Sequence, residues 1–374
     1  MKAWPVLAIT IVQSFLCLAH WFIYRTWLDF WWPMSPSGLL ALRIAFVVLS
    51  FIFVAASLLS FRLSNPFVSV FYTAAALWMG VANFLFVGAW IAWLADLVLR
   101  FTVPTATRIA DRPYIAGTLF VIAVATAVYG MVNARTIRVR RVTVKLPNLP
   151  LVWRGRRALL VSDLHLGHIN GLEFARRIAA KVRELSPAIV FLPGDLFDGS
   201  KVDPHRLAAP LLELKPPLGS FFVGGNHEEF GGAAHFEEAL RAGGIRVLHN
   251  ECADVDGLRV VGVPYGHSTY PLQMRAFLEG LRLKDGPASI LLNHVPNRLP
   301  LAEQAGVSLQ LSGHTHGGGQ MFPFNFITRR AFGKFTYGLQ RFGDMQVYTS
   351  SGAGTWGPPM RVGTHSEIVL LTFA

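Results

Sequence analysis

The spacing of apolar and polar positions divides this chain into two unlike halves. From about Pro5 to Tyr24 the residues are almost all apolar, a run long enough to cross about 30 Å of hydrocarbon at about 1.5 Å per residue. A second run covers about Gly38 to Phe61, with Arg43 near one end, where its stem reaches the headgroups. The short turn RLSNP follows it. A third run, Pro66 to about Leu99, is too long for one upright helix and too short for two with a turn between them. It predicts one tilted or kinked helix, with Gly80 and Gly88 as bends. A fourth covers about Tyr114 to Val132, after a loop carrying Arg100, Arg108 and Arg112. Trp27, Phe30, Trp31 and Trp32 crowd the exit of the first run and predict an interfacial belt. That run could also be a signal peptide, but no small-residue cleavage site follows it, which favours an anchor.

Beyond about residue 135 the pattern shortens. Thr136 to Leu146 alternates with period two, as a half-exposed strand with its basic side outward does, and LPNLP then breaks it. Short apolar runs follow at ALLVSD, AIVFLPGD, SFFVGGNH, LRVVGV, SILLNH, VSLQLSGH, MQVYTSS and EIVLLTF. Amphipathic stretches near Leu172–Leu185, His205–Leu214 and Ala233–Ala242 predict helices among them. The expected organisation is an all-α transmembrane bundle of about four helices over residues 1–135 and an α/β domain over residues 136–374.

Composition agrees with this division. Apolar residues make up 52% of the chain, no glutamate precedes Glu173, and Asp29, Asp96 and Asp111 are the only acids in the first 135 residues. A formal charge of +12 could suggest nucleic acid, but much of it clusters after the last span, in Arg135, Arg138, Arg140, Arg141 and Lys145. Anionic lipid headgroups fit that placement, and no RNA- or DNA-binding module is present, so nucleic acid is not an expected partner. Four spans put both ends of the chain on one side. Lys2, Arg62 and the Arg135–Lys145 cluster mark that side, against Arg25, Arg100, Arg108 and Arg112 on the other, which favours a cytoplasmic α/β domain. A fifth span hidden in the third run would reverse this. Cys17 and Cys252 are too few and too separated for a disulfide framework.

The candidate chemistry sits at strand ends. Asp163 and His165 lie in SDLHLG, Asp195 and Asp198 in GDLFD, and Asn226, His227 and Glu228 in GNHE; His294 lies in NHVP, and His314 and His316 in GHTHGGGQ. Alone, each is an ordinary turn, cap or structural histidine; together and in this order they predict a metal centre. Carboxylate, imidazole and amide oxygen without thiolate suit manganese, iron or zinc.

This ordered set resembles the calcineurin-like metallophosphoesterase superfamily, whose motifs are DxH, GDxxD, GNHE, a lone His and GHxH. The resemblance covers about residues 158 to 320 with no motif missing. It is closest to a membrane-associated bacterial branch with GHTHGGQ and a late glycine-rich stretch, here SSGAGTWGPPMRVG; one extra glycine stands among Gly317 to Gly319. The resemblance implies an α/β/β/α sandwich of mixed sheets and two divalent ions. One would be held by Asp163, His165, Asp195 and His316, the other by Asp195, Asn226, His294 and His314, with Asp195 bridging them. It makes His227 the group that protonates the leaving oxygen, and Asp198 and Glu228 groups that orient the ligands. His168 is either an extra phosphate contact or a surface histidine. The implied place is the bacterial inner membrane, multi-pass.

The stretch MFPFNFITRRAFGKFTY, read as a loop, interleaves Phe322, Phe324, Phe326, Phe332 and Phe335 with Arg329, Arg330 and Lys334. It suits an acylated phosphate substrate or docking onto anionic lipid, or else the phenylalanines fill the core. The leading expectation is hydrolysis of a lipid-linked or nucleotide-linked phosphoester or pyrophosphate, such as UDP-2,3-diacylglucosamine, which some members of the resembled group hydrolyse. The alternatives are an extracytoplasmic phospholipid or envelope phosphatase, and an inactive sensor or scaffold that kept the fold.

Overall fold

A computed structural model of the chain describes residues 3–31 and 33–374, with the backbone alone for residues 3–5; Lys2 and Trp32 fall outside the described residues. The chain forms two units, Met1–Val132 with Gly357–Met360, and Asn133–Trp356 with Arg361–Ala374.

The first unit is built on four long helices: α1 (Ala3–Phe30), α2 (Pro36–Ser60), α3 (Pro66–Leu99) and α4 (Thr105–Arg135). All four are long and apolar enough to cross a membrane. Two of their starts follow from local chemistry. The Ser35 hydroxyl accepts from the N–H of Gly38 at 3.2 Å, the Asn65 side chain accepts from that of Val68 at 2.9 Å, and a proline follows each cap, where its missing N–H costs nothing. The third run is one unbroken helix of 34 residues. Its glycines are contact points: a Cβ on Gly88 would come 3.4 Å from the Leu119 carbonyl oxygen, and one on Gly80 would come 2.5 Å from Met360 Sδ. The absence of a side chain at Gly88 lets the backbones of α3 and α4 approach closely, as small residues do in lipid.

Three expectations change. Helix α1 continues past Tyr24 to Phe30. Phe30 is buried and packs edge-on against Trp93 at 5.0 Å, while Trp27 and Trp31 stack at 4.4 Å, so these described aromatics pack against the bundle. Arg108 and Arg112 stand on α4 and not in a loop; both bind the buried carboxylate of Asp96, at 2.7 and 2.8 Å. A buried acid in an apolar bundle needs such partners, and the helical turn before Tyr114 supplies them.

The second unit holds two six-stranded sheets. In chain order the strands are β1 (Ile137–Val144), β2 (Arg157–Leu160), β3 (Ile189–Pro193), β4 (Ser220–Val223), β5 (Arg246–Val247), β6 (Glu251–Val255), β7 (Leu258–Val263), β8 (Ser289–Asn293), β9 (Leu309–Ser312), β10 (Gly338–Phe342), β11 (Met345–Thr349) and β12 (Ser366–Phe373). One sheet runs β1-β12-β2-β3-β4-β5 and the other β10-β11-β9-β8-β7-β6. Strands β2, β3 and β4 pair in parallel, as do β7, β8 and β9. Strand β1 takes the sheet edge, with Arg138 and Arg140 exposed between half-buried Ile137, Val139 and Val142.

The sheets stack face to face. Ala158, Leu160, Phe191 and Phe221 of one meet Val260, Ile290, Leu292 and Leu311 of the other in a single core. Outside the first sheet lie α5 (Leu172–Leu185), α6 (Pro204–Leu212), α7 (Asn226–Gly231) and α8 (Ala233–Ala242); α9 (Tyr265–Ser268), α10 (Pro271–Gly280), α11 (Leu299–Gln304) and α12 (Phe324–Phe332) accompany the second. Helix α5 shows why such elements form. Ala175, Ile178, Ala179, Val182 and Leu185 recur at helical spacing and are buried against the sheet, removing an apolar stripe from water. The result is the four-layer α/β/β/α sandwich with mixed pairing, because β12 runs antiparallel to β2 and β10 to β11.

Candidate metal centre

Parallel strands end on the same edge of a sheet, and the motif residues follow β2, β3, β4, β8 and β9 directly. Their C-terminal ends therefore converge, as ligand sites in open α/β sheets do. Backbone bonds lock the turns together: the N–H of Asp163 donates to the Gly194 carbonyl at 3.2 Å and that of His165 to the Asp195 carbonyl at 3.0 Å. Asp163, His165, Asp195, His314 and His316 all have φ between 47° and 68°. Non-glycine residues take that left-handed conformation at a cost of about 1–3 kcal/mol each, which the surrounding packing must hold.

The side chains gather into adjoining groups. Donor atoms of Asp163, His165 and His316 lie within 4.8 Å of one another, as do those of Asp195, His294 and His314. In the first group the Nε2 atoms of His165 and His316 face each other at 3.2 Å. The Asp163 Oδ2 beside them is buried without a hydrogen-bond partner, while Oδ1 accepts from the His314 N–H at 2.8 Å. In the second, Asn226 Oδ1 lies 2.9 Å from His314 Nδ1 and 3.1 Å from His294 Nε2. Asp195 Oδ2 stands between the groups, 3.1 Å from His294 Nε2, 3.9 Å from His165 Nε2 and 4.0 Å from His227 Nε2. Buried lone pairs converging without donors are costly unless a cation is shared among them, so the residues fit divalent metal ions.

Charge follows the same geometry. Burial pushes His314 down to about 4 and holds His165 and His316 well below the ordinary imidazole range, so all three offer lone pairs at neutral pH. His294 is the exception. Burial opposes its charge, but the Asp195 carboxylate outweighs it and holds the ring up to about 9. Asp195 is held well below the usual carboxylate range; burial works against this, and the surrounding His294 and His227 prevail. Burial, then repulsion from Asp195, raises Asp163 to about 6.

The flanking motif residues take different places. Glu228 accepts from the backbone N–H groups of Asp195, Phe197 and Gly225 at 3.0, 2.9 and 2.7 Å, tying together the turns that carry Asp195 and Asn226. Asp198 acts through its backbone: its carbonyl takes the His227 Nδ1–H at 2.9 Å, which leaves Nε2 toward Asp195. His168 is half-buried and outside the donor groups.

Three residues were not anticipated. Arg361 is fully buried, and its Nη2 lies 2.7 Å from the carbonyls of Ser351 and Gly354 and 3.1 Å from His316 Nδ1. A lone arginine inside the otherwise apolar PPMRVG is the signal that marks it. Trp356 and Phe230, both exposed, bring their rings 5.1 and 5.5 Å from that of His227. Nothing local distinguishes these two from other surface aromatics.

Two stacked sheets with carboxylate, amide and imidazole donors at their strand ends define a metal-dependent hydrolase of phosphoesters. The chain belongs to the calcineurin-like phosphoesterases, whose family model matches residues 156–318. It is 34% identical over 311 residues to a transmembrane protein with metallophosphoesterase domain from Danio rerio, covering 76% of this chain and 68% of that one. An uncharacterized metallophosphoesterase of Campylobacter jejuni is 33% identical over 252 residues, 65% of this chain and 66% of its own. Another from Aquifex aeolicus is 33% identical over 261 residues, 67% of this chain and 97% of its own. The chain thus spans about two thirds of the first two relatives.

Proposed function

We propose that this chain is a membrane-anchored phosphoesterase with two divalent ions, of manganese, iron or zinc. Asp163, His165, Asp195 and His316 hold one; Asp195, Asn226, His294 and His314 hold the other. The observation that carries this reading is the position of Asp195 Oδ2 between the two donor groups. When bound, such a pair supplies charge neutralisation on the phosphoryl oxygens and a water acidic enough to attack phosphorus in line. The chain's own residues do the rest. His227, fixed by its Nδ1–H bond to Asp198, holds a proton at Nε2 for the leaving oxygen, so that the P–O bond to that oxygen breaks as the bond to the attacking water's oxygen forms. Phe230 and Trp356 flank its ring and keep bulk water from it. A full set of donors argues against an inactive scaffold.

The proposed substrate is a lipid-linked phosphoester or pyrophosphate such as UDP-2,3-diacylglucosamine, reached from the cytoplasmic face of a bacterial inner membrane. The four long apolar helices and the aromatic residues beside His227 support it. His227→Gln is expected to lower kcat on such a substrate by about 10²–10⁴-fold with metal content unchanged. Loss of metal together with turnover would instead place His227 among the ligands. Paired reporters fused after Ala374 are expected to report the cytosolic side; an outside result would redirect the substrate search to envelope phospholipids.

A further inference from the structure

The stretch that follows the paired histidines is not a plain loop. Phe324 to Phe332 forms α12, and no residue in it is buried. Phe324, Phe326 and Ile327 are 47%, 69% and 59% exposed. Helices on a soluble domain turn their apolar stripe inward and their charges outward, as α5 does. Here the order is inverted. A Cβ on Gly319 would fall 2.8 Å from the backbone nitrogen of Asn325, and one on Gly318 would fall 3.2 Å from Arg329 Nε. The side of the helix that carries Asn325 and Arg329 therefore lies against the glycine loop, while Phe324, Phe326 and Ile327 stay exposed. The three glycines that distinguish this loop all have positive φ, and two of them, Gly318 and Gly319, make room for α12 to press against the turn that carries His314 and His316.

The helix is also joined to that turn at and beyond its C-terminal end. The Thr315 hydroxyl donates to the Thr336 carbonyl at 2.7 Å, and the Phe332 ring stands edge-on to His314 at 6.0 Å. Arg330 and Lys334 are exposed beside the apolar face. A contiguous aromatic and basic surface of this kind matches a partner that is apolar within and anionic at its surface. The chain's connectivity says which partner is at hand. Thr136 alone separates α4, long and apolar enough to span a bilayer, from β1 of this domain.

We propose that α12 is an interfacial docking element, which seats Phe324, Phe326 and Ile327 among the headgroups of an anionic bilayer with Arg330 and Lys334 on lipid phosphates. Docking holds the GHTHGGGQ turn at the bilayer surface, so that a phosphoester presented there meets the site without leaving the membrane. The inference rests on the membrane-anchored reading above but not on the identity of the substrate.

The test uses the full chain carrying Cys17→Ala and Cys252→Ala, with a bimane fluorophore on Phe326→Cys or Ile327→Cys. The protein is reconstituted into vesicles of phosphatidylcholine with phosphatidylglycerol that contain a lipid nitroxide-labelled near the headgroup. Quenching is expected to exceed that of a label on Glu184→Cys, exposed on α5, by at least about twofold, and to weaken in phosphatidylcholine alone. Equal quenching at the three positions overturns the proposal. So does a label at 326 and 327 shielded from both the lipid nitroxide and aqueous iodide, which would mean that protein, such as a second copy of the chain, covers the face. If the label is quenched as expected and no lipid phosphoester is cleaved, the docking stands and the substrate reading falls.

Discussion

Asp195→Asn is expected to abolish hydrolysis, by at least about 10³-fold in kcat or about 4 kcal/mol of transition-state stabilisation. Asparagine preserves the side chain's size and the oxygen that accepts the His227 N–H at 3.0 Å, so the turn stays folded. What changes is the atom at Oδ2, where imidazole nitrogens of His294, His165 and His227 converge at 3.1, 3.9 and 4.0 Å. A neutral amide there can neither bridge two cations nor balance their charge. Metal content measured on the purified variant is expected to fall below that of the wild type, and full turnover with normal metal content would refute the bridging role. The same residue controls a second readout. In the metal-free protein His294 holds its proton up to about 9 because of Asp195. At pH 7.5 metal uptake must displace that proton, so adding Mn²⁺ to wild type releases protons and apparent affinity rises with pH until about 9. In Asp195→Asn burial is opposed only by Asp163 and the Pro193 carbonyl, so His294 holds its proton less tightly and the release is smaller.

Arg361→Met is expected to destabilise the α/β unit by at least about 1–3 kcal/mol, the cost of a buried acceptor left unpaired, and to weaken metal binding. The guanidinium bonds to the carbonyls of Ser351, Gly352 and Gly354, to the Ser351 hydroxyl and to the His365 carbonyl. Methionine fills the space and leaves those buried acceptors unpaired. Burial lowers Arg361 only to about 10, so it is charged at neutral pH, and its charge adds to burial in keeping His316 unprotonated. Without it the His316 pKa rises, protons compete with metal at higher pH, and metal is lost on acidification sooner than in the wild type. Arg361→Lys, which keeps a charge but not the fork of donors, should restore the pH profile more than the stability. A variant that merely melts earlier, with an unshifted pH profile for metal loading, would leave Arg361 a packing residue with no hold on the site.

Much of the architecture could be read locally. The third apolar run is one helix, as expected, and the strands at AIVFLPGD, SILLNH and EIVLLTF lie where their β-branched and apolar residues predict. Local reading failed where elements are short or polar. Strand β5 has two residues, and β10 alternates half-buried and exposed positions under the charge of Arg341; pairing partners define both. The stretch read as a loop after the histidines carries α12, whose Phe324, Phe326 and Ile327 are exposed, the opposite of a core helix. Phe335, from the same stretch, does pack toward a core, as the core-filling expectation had it, while Phe324 and Phe326 are exposed.

The sequence by itself determined the family, the four apolar spans and the chemical types of donor, because each motif is a few residues long and its side chains are named by the code. Only the tertiary structure decided that Asp195 stands between the two donor groups, that five motif residues take left-handed backbone angles, and that Arg361 reaches the turns from far along the chain. Those facts depend on contacts between residues tens to hundreds of positions apart. No local periodicity encodes them, since the same short motif can be held in many geometries until the packed sheets select one.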